Sequence, residues 1–227
     1  MRKIIYLHGA LGCTKQSRDL TIYLNSYFDC FSDDFTGHGF KPAHNGDFSI
    51  DLFTMDLYNF MDELEIVGAD LFGYSMGGYV ALNYALKYPD RVGKIFTFGT
   101  KFDWNPETTL KETKMLNPQK MMEKVPKFVD ELKELHGDKW ELLVEQTAKM
   151  MIELGSEPNL KAKELSEIQT PVYISVGDRD ALVSIEESAQ AFRSLPNSRF
   201  TVFPDTIHPI TKIDKIRLKN ELVPYFC

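Results

Sequence analysis

The chain has 227 residues, of which 43% are hydrophobic and 26% charged, with a mean hydropathy of -0.26. This composition is ordinary for a globular protein, and the length suits one α/β domain with an insertion. The net charge of -7 disfavours a nucleic-acid partner, because it would repel a phosphate backbone and no local cluster of lysines or arginines offsets it. No apolar run approaches the roughly 18 residues that span a bilayer, so we expect no membrane insertion.

The three cysteines, Cys13, Cys30 and Cys227, lie far apart in the sequence. Such spacing suits a reducing compartment better than a disulfide framework. The opening MRKIIYLHGALG has too short an apolar run for a signal sequence. We therefore expect a cytoplasmic protein.

Short β-rich runs alternate along the chain with longer segments of helical period. The predicted strands are residues 3–7, 27–31, 69–72, 94–98, 172–176 and 199–203. The predicted helices between them are residues 14–25, 50–64, 76–88, 185–195 and 212–225. This alternation is typical of βα units. It predicts an α/β fold with a mostly parallel six-stranded sheet and helices on both faces.

The alternation fails over residues 103–166, which read as several helices interrupted by prolines and a glycine. The clearest helical stripe runs from Trp140 to Leu154 with apolar residues at i, i+3 and i+4. We interpret residues 103–166 as a helical cap, inserted into a sheet domain made of residues 1–102 and 167–227.

Ser75 lies between Gly73 and Gly77, where a predicted strand meets a predicted helix. A strand that turns sharply into a helix, with one side chain exposed at the bend, needs small residues two positions to either side. The G-x-S-x-G motif also arises by chance, so the flanking strand and helix carry the interpretation. We predict a nucleophile at Ser75; the alternative is a serine that only caps the helix.

A serine nucleophile needs a base, and the base needs a carboxylate that orients it. His136 lies in the predicted cap, His38 and His44 lie in a glycine-rich loop, and His8 ends the first strand. His208 alone follows the last predicted strand, at the sheet edge where ligands of open α/β proteins bind. We predict His208 as the base; the alternative is a surface histidine in a loop held by prolines.

Two other short stretches supply the remaining candidates. Asp178 and Asp180 both follow the fifth predicted strand, and either could be the carboxylate or could cap the turn. The first strand leads into His8-Gly9-Ala10-Leu11-Gly12, where a glycine-permitted bend can aim a backbone N–H into a pocket. We expect the N–H groups of Ala10 and Met76 to form an oxyanion hole, unless the first stretch is an ordinary tight turn.

Together these residues resemble the α/β-hydrolase fold superfamily. The resemblance covers nearly the whole chain and rests on His8-Gly9, DDFTGHGF after the second strand, GYSMGG, GDRD after the fifth strand, and a histidine in the last loop. It implies Ser75 as nucleophile, His208 as base and Asp180 as acid, in the family's chain order. Asp103 is the fallback acid, and His38 corresponds to a position that orders its loop.

The resemblance also implies a cap between the sixth and seventh family strands and a sheet that lacks the first two family strands. The expected reaction transfers an acyl group from a small, largely apolar carboxylic ester or thioester to water. No cofactor is expected, and metal-protease, Walker-type and complete G-x-G-x-x-G motifs do not occur in the sequence.

Two rival functions stay open. The first is a lyase or C–C bond hydrolase on the same residues, for which arginines in the pocket would favour an anionic substrate; residues 105–165 contain lysines but no arginine. The second is a non-catalytic sensor that binds a small ligand. In each case the partner is a small molecule.

We expect the cap to determine substrate choice through an adaptable apolar pocket above Ser75. The predicted substrate-contacting residues are Leu11, Tyr74, Phe102, Trp104, Met122 and Trp140, with Met115, Met121, Met150 and Met151 as further candidates for the lining. The alternative for each methionine or aromatic residue on a helix is burial against the domain below.

Overall fold

The computed structural model of the protein describes residues 1–43 and 46–227. Its strands are β1 (Lys3–Leu7), β2 (Asp29–Ser32), β3 (Ala69–Tyr74), β4 (Val92–Phe98), β5 (Val172–Gly177) and β6 (Ser198–Phe203). They form one sheet in the order β2-β1-β3-β4-β5-β6, and every neighbouring pair is parallel. The prediction of a six-stranded, mostly parallel sheet is confirmed.

The helices that follow the strands are α1 (Thr14–Leu24), α2 (Ile50–Glu63), α3 (Met76–Lys87), α4 (Pro106–Thr113), α5 (Pro118–Lys124), α6 (Pro126–His136), α7 (Trp140–Ser156), α8 (Ala162–Glu167), α9 (Ile185–Ser194) and α10 (Lys215–Phe226). The last begins three residues later than predicted, because Asp214 caps it by accepting bonds from the Ile216 and Arg217 N–H groups. The preceding Ile210–Lys212 forms a 3-10 turn.

The helices cover both faces of the sheet, as predicted. Successive side chains of β1 point to opposite faces, so Ile4 joins one core cluster and Ile5 joins the other. Helices α1 and α10 pack with the Ile4 cluster, whereas α2, α3 and α9 pack with the Ile5 cluster. Burial of both faces explains why the inner strands β1, β3, β4 and β5 are largely apolar, whereas the edge strands β2 and β6 are more polar and only partly buried.

Helices α4 to α8 follow one another between β4 and β5. Proline occupies the first position of α4, α5 and α6, where its missing N–H costs nothing. Asn105 and Asn117 cap α4 and α5 through their side chains. Within the described residues, no helix is both long and apolar enough to cross a bilayer.

The carboxyl ends of the parallel strands lie at one edge of the sheet, and the loops that leave this edge hold the residues of interest. Ser75 directly follows β3, Asp180 follows β5, and His208 follows β6. The fold thereby assembles residues that are distant in sequence at one location.

Candidate active site

Ser75 occupies a sharp turn between β3 and α3. Its backbone has φ 52° and ψ -119°, a region that costs a residue other than glycine on the order of 1–3 kcal/mol. Two hydrogen bonds hold this conformation: the Ser75 N–H donates to the Phe98 carbonyl at 2.8 Å, and the Thr100 hydroxyl donates to the Ser75 carbonyl at 3.0 Å. The strained turn therefore holds the Ser75 side chain clear of both flanking elements.

The glycines two residues to either side are required by close backbone contacts. A Cβ at Gly77 would lie 2.2 Å from the Leu7 carbonyl oxygen, and one at Gly73 would lie 2.3 Å from the Gly78 Cα. Both distances are far below van der Waals contact, and the obstructing atoms are backbone. The G-x-S-x-G spacing thus has a steric cause at this turn.

A continuous series of hydrogen bonds links Ser75 to Asp180 through His208. The Ser75 Oγ lies 3.1 Å from His208 Nε2, and His208 Nδ1 lies 2.7 Å from Asp180 Oδ2. The other carboxylate oxygen of Asp180 accepts bonds from the Leu182 and Val183 N–H groups, each at 2.9 Å. With its carboxylate fixed, Asp180 accepts from Nδ1–H and leaves Nε2 free to take a proton from the Ser75 hydroxyl.

The remaining carboxylate candidates lie elsewhere. Asp178 Oδ1 accepts the Thr206 N–H at 3.1 Å, and the Asp205 and Thr206 N–H groups hold the pKa of this exposed carboxyl below its usual range. Asp103 is exposed and accepts a bond from the Asn105 side chain.

The ring of His208 is supported from the sheet side. The Tyr74 ring lies 5.4 Å from it, centroid to centroid, and burial raises the pKa of the Tyr74 hydroxyl. A Cβ at Gly99 would lie 3.2 Å from both the His208 ring and Asp180 Oδ2. Tyr74, predicted to contact substrate, thus packs against His208.

The loop after β1 carries Ala10 and is fixed by hydrogen bonds to a backbone carbonyl. The Gly9 carbonyl accepts from the Gly12 N–H at 3.1 Å and from His8 Nδ1 at 2.9 Å. His8 Nε2 accepts the Phe35 N–H at 3.0 Å, so its proton resides on Nδ1. The peptide between Gly9 and Ala10 is planar and trans, so its C=O and N–H groups point in opposite directions. Holding the Gly9 carbonyl therefore fixes the direction of the Ala10 N–H.

A cluster of three buried histidines lies behind this loop. The rings of His8 and His38 are 5.0 Å apart, and those of His38 and His136 are 6.2 Å apart. Burial lowers the pKa of His8 to about 4, lowers that of His38 well below its usual range, and also lowers that of His136. The cluster is therefore neutral at pH 7. His44 lies outside the described residues.

A small cavity of about 70 Å³ opens beside Ser75. We call it the Ser75 cavity, and its lining consists of Ala10, Ile50, Ser75, Met76, Tyr79, Lys101, Trp104, Glu112, Met150, Met151, Leu154, Leu182, Val183 and His208. Most of these side chains are apolar. Ala10, Met76 and Trp104 were predicted to lie here, as were Met150 and Met151, which belong to α7.

Other predicted contact residues occupy different surroundings. Phe102 lines a second cavity between α8 and α9. Trp140 is buried in the core beneath Lys133, and Met122 is 41% exposed. The Leu11 carbonyl accepts a hydrogen bond from His136 Nε2 at 3.0 Å.

The Ser75 cavity is also lined by two charged residues that sequence analysis missed, Lys101 and Glu112, and Lys101 lies close to a third, Glu187, which lines the second cavity. Lys101 Nζ lies 3.7 Å from Glu112 Oε1 and 3.8 Å from Glu187 Oε2. The Glu187 carboxylate accepts backbone bonds from Phe102, Asp103 and Ser184, so its position is fixed. The signal in the sequence was a lysine two residues after the glycine that directly follows β4, a weak indication by itself. The three groups sum to one negative charge at neutral pH.

Within residues 1–43 and 46–227, no three histidine, cysteine or carboxylate side chains are grouped so as to hold a metal ion.

Comparison with known proteins gives a family match. A family model described as the alpha/beta hydrolase fold matches residues 3–133. A 2-hydroxy-6-oxononadienedioate/2-hydroxy-6-oxononatrienedioate hydrolase of Paraburkholderia phymatum is 26% identical over 226 residues, covering 88% of this chain and 78% of that protein. A "Probable alcohol acetyltransferase" of Cyberlindnera fabianii is 35% identical over 89 residues, and the chain spans only 24% of its length.

Solved structures agree in fold. A thermophilic esterase from Thermogutta terrifontis superimposes with a TM-score of 0.80 and 21% identity, covering 100% of this chain and 89% of that one. The enol-lactonase from Burkholderia xenovorans also gives a TM-score of 0.80, with 18% identity and coverage of 99% and 90%.

Proposed function

The chain belongs to the α/β-hydrolase fold family and is a hydrolase, and we propose that it cleaves a small, largely apolar carboxylic ester or thioester through an acyl-enzyme on Ser75. The observation that carries this proposal is the hydrogen-bonded series from Ser75 Oγ through His208 to Asp180. This series supplies a nucleophile, a base of the right tautomer and a buried carboxylate that stabilises the imidazolium.

In the first half-reaction, Ser75 Oγ attacks the substrate carbonyl carbon while His208 Nε2 takes the hydroxyl proton. Collapse of the tetrahedral intermediate breaks the bond to the leaving group, which receives the proton from Nε2. In the second half, the same nitrogen deprotonates a water that attacks the acyl carbon. Collapse of this second tetrahedral intermediate breaks the bond to Ser75 Oγ, which takes the proton back from Nε2, and the carboxylic acid leaves. Asp180 keeps Nδ1 protonated throughout.

Two backbone groups are suited to the negative oxygen of the intermediate. Met76 is the first residue of α3, so its N–H has no acceptor within the helix and lies at the positive end of the helix dipole. The Ala10 N–H is fixed in direction by the held Gly9 carbonyl. Both residues line the Ser75 cavity, which supports their assignment as the oxyanion hole.

The substrate class follows from the lining of the cavity. Met150, Met151 and Leu154 of α7 provide an apolar wall that suits an acyl chain. This wall belongs to residues 103–166, and we propose that this segment acts as a helical cap that selects substrates. A net charge of one negative unit is shared by Lys101, Glu112 and Glu187. This charge disfavours a substrate whose carboxylate would lie beside these three residues.

A second candidate function is favoured by relatives. The proteins named as hydrolases of 2-hydroxy-6-oxo dioates indicate C–C bond hydrolysis of a dianionic substrate. The same serine and histidine could perform it, but the lysine that would bind a carboxylate is already paired with two glutamates. An uncharged ester therefore fits the cavity better.

A serine-directed probe tests the proposal. The wild-type protein, Ser75→Ala and His208→Ala are incubated with a fluorophosphonate and their intact masses are measured. We expect one adduct on the wild type and none on either variant. An unlabelled but folded wild type that also hydrolyses none of a series of p-nitrophenyl esters would contradict the proposal and favour the C–C hydrolase or a sensor.

A further inference from the structure

His136 connects the inserted segment to two loops of the sheet domain. It is the last residue of α6, and its ring is fully buried. Its Nδ1 accepts the Gly39 N–H at 2.8 Å, so Nε2 carries the proton and donates to the Leu11 carbonyl at 3.0 Å. The partners lie 97 and 125 residues away in sequence. One imidazole thus joins three distant parts of the chain.

The Leu11 backbone needs such support. Its φ is 56°, in the left-handed region that a bulky side chain rarely occupies. Leu11 is the third residue of the turn closed by the bond from Gly12 N–H to the Gly9 carbonyl, a position where a positive φ normally requires glycine. A leucine there is strained, and interactions from outside the turn have to offset that strain.

Two histidines hold the carbonyls of Gly9 and Leu11, the residues on either side of Ala10. His8 Nδ1 bonds the Gly9 carbonyl at 2.9 Å, and His136 Nε2 bonds the Leu11 carbonyl at 3.0 Å. His8 belongs to the sheet domain, whereas His136 belongs to the inserted segment. The direction of the Ala10 N–H is therefore secured partly by a residue that does not touch the Ser75 cavity.

We propose that His136 is a positioning residue that ties docking of the inserted segment to the geometry of the oxyanion loop. When α6 is seated, the Leu11 carbonyl has its donor and the strained turn persists. When α6 lifts away, the carbonyl loses that donor and Leu11 can relax, which turns the Ala10 N–H out of line. The catalytic part of this proposal rests on the proposed hydrolase function, whereas the control of the loop does not.

The test compares two variants of the same helix. His136→Ala removes both hydrogen bonds. Val129→Ala, two turns earlier on α6, removes buried methyl groups and serves as the control for lost packing. For each protein, hydrogen–deuterium exchange is measured on a peptide that covers residues 8–12, and kcat and KM are measured with p-nitrophenyl butyrate.

We expect exchange over residues 8–12 to accelerate at least about 10-fold in His136→Ala and to stay near the wild-type rate in Val129→Ala. We also expect kcat of His136→Ala to fall by roughly 10-fold to 100-fold with KM nearly unchanged, because a misplaced donor weakens only transition-state binding. Equal exchange in the two variants overturns the proposal, and so does a loosened loop with undiminished kcat.

Failure of the proposed function has a different signature. A wild-type protein that neither turns over esters nor reacts with the fluorophosphonate contradicts the hydrolysis of esters. The exchange comparison then still decides whether His136 holds the loop, because it requires no substrate.

Discussion

Asp180 Oδ2 lies 2.7 Å from His208 Nδ1, while its partner oxygen Oδ1 is occupied by two backbone N–H groups. This geometry predicts a specific failure in Asp180→Asn. The amide oxygen can take the place of Oδ1, which then presents the amide NH₂ to His208 and forces the wrong tautomer. We expect kcat to fall on the order of 10⁴-fold in a folded protein, measured with p-nitrophenyl butyrate.

Asp178→Asn is the matched control, because Asp178 also follows β5 but bonds only to backbone of its own and the neighbouring loop. We expect its kcat to stay within a few-fold of wild type. If both variants lost activity equally, Asp180 would have no special role.

Acid should destabilise the protein through its buried histidines. Burial lowers the pKa values of His8, His38 and His136, so the folded state binds fewer protons than the unfolded state below the ordinary value of about 6.5. The contribution of these histidines to the free energy of unfolding is thus complete above that pH and is lost as the pH falls. For His8 the loss continues down to its folded-state pKa of about 4. Each group contributes at most about 1.4 kcal/mol per pH unit.

Urea unfolding at pH 7.0 and pH 5.0 measures this effect, and we expect a lower midpoint at the acidic pH. The His38 ring lies 5.0 Å from that of His8 and 6.2 Å from that of His136, so charging one ring disfavours charging the next. The loss should therefore be smaller than three independent groups would give. An unchanged midpoint would show that the histidines titrate normally.

The α7 wall of the Ser75 cavity should determine the preferred acyl length. Met150→Ala shortens a buried side chain that lines the cavity, which leaves room for additional methylene groups. We expect kcat/KM to shift toward octanoate over acetate, by roughly 10-fold, in a series of p-nitrophenyl esters. Leu142→Ala on the same helix is exposed and should leave the preference unchanged. A shift in both variants would point to general loosening of α7.

The charged group of Lys101, Glu112 and Glu187 at the edge of the Ser75 cavity should discriminate by substrate charge. Three butyrate esters of similar shape test this: 3-methylbutyl, 2-(dimethylamino)ethyl and 2-carboxyethyl. We expect the carboxylate ester to have the lowest kcat/KM in the wild type. Glu112→Gln removes one negative charge beside Lys101, so we expect the carboxylate ester to gain about 10-fold relative to the neutral one. A wild type that prefers the carboxylate ester would favour the C–C hydrolase function.

The sheet and most helix positions could be predicted because hydrophobic period and helix signals act locally. Ser75 and His208 were predicted from their places after strands, and the structure places their side chains 3.1 Å apart, although their roles stay predictions. By contrast, the surroundings of Phe102, Met122 and Trp140 depend on how the inserted segment docks. That docking is decided by contacts such as Thr109 with the Met151 carbonyl and His136 with Leu11, which no local pattern encodes.

The order of the parallel strands has a further consequence for biosynthesis. Ser75 directly follows the third strand, but its proposed base, His208, is 133 residues later and follows the sixth strand. A chain that is made and folded from its N-terminus therefore carries its serine for most of translation without a partner. The nascent protein should be inert toward esters until β6 has joined the sheet, so activity arises in a single late step of folding.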